Sequence, residues 1–194
     1  MLRQFVHLSG LLFVGLAHFL DSMQSAVLFL VIGLFFFLYW EYIKIKKKPL
    51  MGLRNLAFFF ERKDVRPFTG AVWFYIGGFL AFVLFPHNIA SASVSILAVG
   101  DSLSTVFGVK FGRHKLIGKK SLEGSLAFFA SSFLVSLIFV NPLVGFFGSL
   151  TGALVELLIP QKIGKKAYWF LDDNLLIPVI SGAVMWILNI LLFL

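Results

Sequence analysis

Nine acidic residues are spread through this chain of 194, and one of them stands where charge is expensive. Asp101 lies in Gly100-Asp-Ser-Leu-Ser-Thr-Val-Phe-Gly108, inside an apolar run. An ionised side chain at the centre of a membrane helix costs at least ~2.5–3.5 kcal/mol. A residue kept there is held for function or by a tight partner, and an Asp–Lys pair is the structural alternative. Ser102 and Thr105 put hydroxyls beside it, Thr105 on the same helix face one turn away. Gly100 offers a point at which the helix would open and expose its backbone. Of the other acids, Glu123 is followed closely by small residues, Glu156 ends the sixth apolar run, and Asp172-Asp173-Asn174 opens the seventh. Carboxylates hold Mg²⁺ and lysines hold phosphate oxygens, so acids and bases mixed in one layer suit a polyphosphate carrying its metal. Mutual neutralisation is the plainer account, and it fits Glu41 and Asp64.

The basic partner of these acids is Gly108-Val-Lys-Phe-Gly-Arg-His-Lys-Leu-Ile-Gly-Lys-Lys-Ser-Leu-Glu-Gly-Ser125. It is not a P-loop. Five residues separate Gly112 from Gly118, an extra Lys precedes Ser121, and the segment follows an apolar helix where a P-loop follows a strand. The physics of phosphate binding survives without the motif. Ser121 is a good N-cap for the helix that follows, and a helix N-terminus attracts anions. Lys119 and Lys120 add charge, and Gly118 lets backbone approach closely. Glu123, in the first turn, also suits the helix dipole.

Taken together, these pieces resemble the polyprenol kinase family, which includes dolichol kinase, phytol kinase and the CTP-dependent diacylglycerol kinase of fungi. The resemblance rests on Gly100-Asp-Ser, Gly108, Phe111-Gly112, Gly118-Lys-Lys-Ser-Leu-Glu-Gly-Ser125, Glu156, Asp173-Asn174 and Pro178. Arg3, His7, Gly10 and Phe68-Thr-Gly70 support it. It implies transfer of the γ-phosphate of CTP to a lipid alcohol, with Mg²⁺, at the cytoplasmic face. It also implies a nucleotide site at Asp101, Ser102, Lys119, Lys120, Ser121 and Glu123, completed by Glu156, Asp173 and Asn174. Within that site, the chemistry of the groups assigns Asp101 and Glu156 to Mg²⁺. Lys119, Lys120 and the Ser121 helix end go to the phosphates, and Asp173 to orienting or deprotonating the lipid hydroxyl.

The elements that position these residues follow from composition. The chain is 59% hydrophobic and 13% charged, with a mean hydropathy of +0.95, well above the apolar half typical of globular domains. Seven apolar runs, at 5–20, 26–42, 68–85, 89–109, 122–140, 143–159 and 175–194, approach or reach the ~17–25 residues a membrane helix needs. The first run is short and carries His7 and His18; a signal peptide is its rival, but no small-x-small cleavage site follows. If the loops alternate sides, all seventeen Lys and Arg fall on one of them. These are Arg3; Lys44, Lys46, Lys47, Lys48, Arg54, Arg62, Lys63 and Arg66; Lys110, Arg113, Lys115, Lys119 and Lys120; and Lys162, Lys165 and Lys166. Positive loops stay cytoplasmic. The expected fold is therefore all-α: one integral-membrane catalytic domain over 1–194, with about seven transmembrane helices, N-terminus inside and C-terminus outside, in the cell membrane or endoplasmic reticulum. The active site is expected to face the cytoplasm, and every acid but Asp21 lies on that side.

Secondary features follow the same frame. Residues 49–62 are too short and too polar-flanked to span, and fit a helix lying in the headgroup plane. Tyr39, Trp40, Tyr42, Tyr168 and Trp169 suit an inner aromatic belt, whereas Trp73 and Trp186 fall deeper. Ser121-Leu-Glu-Gly-Ser-Leu126 echoes Ser149-Leu-Thr-Gly-Ala-Leu154, as if each began a helix, on opposite faces. With no cysteine, thiol nucleophiles, disulfides and zinc–thiolate sites are excluded. A soluble basic face for nucleic acid is lacking, so the net charge of +8 points to membrane lipids. A lipid alcohol and a nucleotide are the expected partners, and the oligomeric state is open. Two other functions compete: a cytidylyltransferase making CDP-lipid, and a transporter, which would place its charges near the midplane.

Overall fold

A computed structural model describes residues 2–46, 69–159 and 172–193. Among these residues the chain forms seven helices: α1 Leu2–Ala17, α2 Ser22–Lys46, α3 Thr69–Leu84, α4 His87–Phe111, α5 Leu122–Ser136, α6 Pro142–Leu158 and α7 Asp173–Phe193. Between α4 and α5 lies a small antiparallel hairpin, β1 Lys115–Ile117 and β2 Lys120–Ser121. The all-α expectation holds, and each apolar run became one helix. The hairpin was not anticipated. Three helices are long and apolar enough to cross a membrane, over Ser22–Tyr39, His87–Phe111 and Asp173–Leu192; α3, α5 and α6 are shorter apolar helices. The chain thus has the helices of a membrane protein. The interfacial segment 49–62, the basic residues Lys162, Lys165 and Lys166, and the belt residues Tyr168 and Trp169 lie outside the described residues.

Helix α4 is the axis of the bundle, packing on α1, α3, α5, α6 and α7. Over half of its apolar window is buried (56%), against 28% for α2 and for α7, and its window is the least hydropathic of the three. Both facts have one cause. From Ala90 to Ala98 the helix is largely Ser, Ala and Val, and small residues let neighbouring helices come close. The closest approaches use glycine. A β-carbon on Gly100 would stand 2.7 Å from the Phe128 ring, and one on Gly152 would stand 2.8 Å from Ile96. Gly100 therefore does not open α4, as the sequence suggested; the helix runs unbroken through it, and the missing side chain makes room for Phe128.

A second packing unit joins α2 and α3 through aromatic rings. Phe29 meets Phe82 at 5.4 Å, and Tyr75 stacks on Phe36 at 5.4 Å while taking the edge of Phe13 from α1. Tyr39 is buried and stacked on Phe35, so it belongs to the packing rather than to a headgroup belt. Trp73 is also buried, and Trp186 is partly exposed against Phe85.

The connections at one end of the bundle are short and self-contained. Asp21 and Gln24 cap α2 reciprocally, Gln24 N–H donating to Asp21 at 2.8 Å and Asp21 N–H to Gln24 at 3.2 Å. Asn141 caps α6 through Val144 N–H, with Pro142 in its first turn. His87 Nε2 lies 2.9 Å from the Ala17 carbonyl, fastening the start of α4 to the end of α1. The echo between Ser121 and Ser149 fails here. Ser121 caps α5, whereas Ser149 is buried in mid-α6.

Candidate functional site

The other end of the bundle gathers the chemistry. Lys120, at the close of the hairpin, reaches across to α6. Its Nζ lies 3.2 Å from Glu156 Oε1 and donates to the Ile159 carbonyl at 3.2 Å. Both side chains are under 10% exposed. Glu156 sits in the last turn of α6, and Ile159 is that helix's C-cap. The ammonium therefore meets a carboxylate and the negative end of a helix dipole together. The charges of Asp101, on α4, and Asp173, opening α7, also act on Glu156. Four elements far apart in sequence thus bring Asp101, Lys120, Glu156 and Asp173 into one electrostatic neighbourhood. A buried lysine–carboxylate pair of the kind considered for Asp101 is present at Glu156.

The hairpin that carries Lys120 is built by local rules. Gly118 has φ +58, the left-handed conformation a tight turn requires and glycine alone adopts freely. Its α-carbon faces open space, and Lys115 and Lys119 beside the turn are exposed. At the base, Ser121 caps α5, its Oγ accepting the Gly124 N–H at 3.2 Å. Glu123 holds the incoming strand: it accepts the His114 N–H at 3.2 Å, and His114 Nδ1 lies 2.7 Å from Oε1. The Leu122 N–H donates to the His114 carbonyl at 2.9 Å, and Glu123 also accepts its own N–H. The first N–H groups of α5 thus already have internal acceptors. A phosphate reaches them only where those acceptors give way, so anion binding here falls chiefly to the lysine ammonium groups.

In the sequence, Gly108 and Gly112 carry part of the family resemblance but no packing role. They lie one turn apart on α4, and a β-carbon on Gly112 would stand 2.6 Å from Ser121 Oγ; one on Gly124 would stand 3.0 Å from the Ser104 carbonyl and 3.3 Å from Gly108. Close approach of α4, the hairpin and α5 needs Gly112 and Gly124, whereas a β-carbon on Gly108 would make only ordinary contact, 3.5 Å from Ser121 Oγ. The four-residue spacing of Gly108 and Gly112 was the available signal, and Gly124 stands outside it. The Ile159 carbonyl had none, because a backbone acceptor leaves no mark on composition.

The start of α7 completes the neighbourhood. Asp172 Oδ1 accepts the Asn174 N–H at 3.0 Å and its side-chain amide at 2.8 Å. Asp173 is 8% exposed and Asn174 1%. Asn174 Oδ1 is buried with no hydrogen-bond donor among the described residues, and the side-chain nitrogen of Asn174 lies beside Gly70, at the start of α3. Pro178 lies inside α7 and removes the N–H that would meet the Asn174 carbonyl. That carbonyl lies against Gly77, where a β-carbon would stand 2.6 Å away. Ser102 is buried, its Oγ donating to Ala98 O at 2.7 Å. Lys119, by contrast, is exposed on the hairpin.

Mg²⁺ is the metal that the family resemblance implies. Among the described residues, no three His, Cys, Asp or Glu side chains form a ready metal cage. Mg²⁺ needs none when it arrives with a nucleotide, since one or two carboxylates, phosphates and water complete its octahedron. Asp101 and Asp173 have the right donor chemistry for that part. Glu156, already paired with Lys120, is less available for it.

Relatives add the decisive comparison. The chain is 29% identical over 143 residues to the CTP-dependent diacylglycerol kinase 1 of Schizosaccharomyces pombe, covering 66% of this chain and 64% of that one. It is 30% identical over 148 residues to the dolichol kinase of Saccharomyces cerevisiae, covering 73% and 28%. It is 29% identical over 121 residues to the phytol kinase of Synechocystis sp., covering 57% and 48%. These likenesses support membership of the polyprenol and lipid kinase family. No family model and no solved structure matches it. The chain spans between about a quarter and two thirds of the length of these three family members.

Proposed function

We propose that the protein is a CTP-dependent lipid kinase that passes the γ-phosphate of CTP to a polyisoprenoid alcohol of the dolichol, phytol or geranylgeraniol type. The observation that carries this reading is the buried Lys120–Glu156 pair at one end of the bundle, with the charges of Asp101 and Asp173 acting on it, beside a hairpin bearing exposed lysines. The relatives' names supply the donor and the class of acceptor.

In this reading the hydroxyl oxygen of the lipid attacks the γ-phosphorus. The bond from that phosphorus to the β–γ bridging oxygen breaks, yielding CDP and a lipid phosphate. Such transfers depend mainly on positioning and charge stabilisation. Lys120 and Lys119 would hold phosphate oxygens, and Asp101 and Asp173 would hold the nucleotide's Mg²⁺, which would supply charge neutralisation for the transferring group. Asp173 would also orient the lipid hydroxyl and take its proton. Several groups carry both polar and apolar duties here: the site lies at helix ends, so a wet nucleotide and a greasy alcohol meet there. The distribution of all seventeen Lys and Arg supports seven spans with the site at the cytoplasmic face.

CTP labelled at the α or the γ phosphorus, offered with phytol, geranylgeraniol, dolichol or diacylglycerol, tests the reading. γ-Label in the lipid is the expected result. α-Label in the lipid overturns it in favour of a cytidylyltransferase.

A further inference from the structure

The buried Lys120–Glu156 pair asks for an explanation that a phosphate-binding lysine and a metal-binding carboxylate, each acting alone, do not give. Removing two charges from water costs several kcal/mol per ion unless geometry and hydrogen bonds are good. Here they are: Nζ meets Glu156 Oε1 and the Ile159 carbonyl, both at 3.2 Å. An ammonium has three donors, so two fix its place and one remains. The turn of the hairpin is left exposed while its last strand is pinned down.

We propose that Glu156 is a positioning residue rather than a metal ligand: it latches the hairpin to the end of α6 and fixes Lys120 so that its remaining N–H is aimed at a phosphate oxygen. The proposal rests on the kinase reading above. It assigns the metal to Asp101 and Asp173. Glu156 acts through Lys120 on the nucleotide and not on the cation.

The test uses the full chain in detergent or nanodiscs, with Glu156→Gln, Glu156→Asp, Lys120→Met and the double variant Lys120→Met/Glu156→Gln. For a latch, Glu156→Gln raises the KM for CTP roughly tenfold, the Mg²⁺ concentration giving half-maximal rate stays within about twofold, and Glu156→Asp recovers most of the loss. The double variant is no slower than Lys120→Met alone, because both substitutions break one unit. In thermal unfolding, Lys120→Met lowers the midpoint by roughly 10 °C by leaving a buried carboxylate unpaired, and adding Glu156→Gln returns most of it. A Mg²⁺ requirement that rises in Glu156→Gln, with rate restored by excess metal, overturns the proposal in favour of metal ligation. Losses that simply add in the unfolding cycle overturn the latch while leaving the kinase reading standing. No transfer from CTP by the unsubstituted chain overturns the kinase reading and the role given to Lys120 with it.

Discussion

At the end of the bundle that holds Ala17, Phe85 and Leu137, the capping side chains serve the helices they sit on, while Ser25 and His87 each reach the Ala17 carbonyl of a neighbouring helix. Asp21 and Gln24 cap α2, and Asn141 caps α6. At the other end, polar side chains serve distant elements. Lys120 of the hairpin holds the end of α6, and Asp173 of α7 and Asp101 of α4 act on Glu156. Local capping stabilises and explains itself. Charges gathered from four elements, and partly shielded from water, cost free energy, and the proposed kinase reading gives them a shared task. The difference between the ends separates structural polarity from functional polarity within one small molecule.

The comparison breaks most sharply at Asp101. Asp101→Asn is expected to lower phosphate transfer about 100-fold or more, the scale of losing one charge-stabilising group, while the protein still partitions into the membrane fraction. Near-normal activity in that variant, read by label transfer, would remove Asp101 from the site. Gly124→Val tests the scaffold beneath it. The added side chain meets backbone of Ser104 and Gly108 that cannot rotate away, so unfolding should become easier by about 1–3 kcal/mol, with activity falling alongside.

Legibility in the sequence divides along the same line. The seven helices were readable because apolar length is a one-dimensional signal. The caps at Ser121, Asn141 and Asp172 were of readable types, since capping residues sit beside what they cap. Asp101 was legible because charge in an apolar run has few other reasons. The hairpin was hidden: two residues pair at its second strand, too few for alternation to register. The Lys120–Glu156 pair was hidden too, because 36 positions separate residues that only the packing of α5 on α6 brings together. Glu156, which the sequence offers as a metal ligand at a helix end, is paired in the structure with Lys120. Its partner was a lysine already reserved for phosphate.

Smaller effects sharpen the contrast. Asn141→Ala should cost about 1 kcal/mol in unfolding through the lost cap and leave kcat and KM unchanged, as expected of a residue that serves only its own helix. His114→Ala removes one partner of Glu123 at the base of the hairpin. Because His114 is exposed, its effect on the KM for CTP should not exceed about fivefold, the range of an exposed ion pair. A larger effect would make the clamp at Glu123 part of the site rather than its support.

Lys119 and Lys120 are neighbours in sequence, yet one is exposed and the other is 9% exposed. To an amine-acylating reagent they are different targets. Lys119 should react at the pace of a free lysine side chain, whereas Lys120 reacts only in moments when the strand has lifted from the end of α6. The ratio of the two labelling rates would therefore act as a clock for that lifting, readable by mass spectrometry on the unaltered chain.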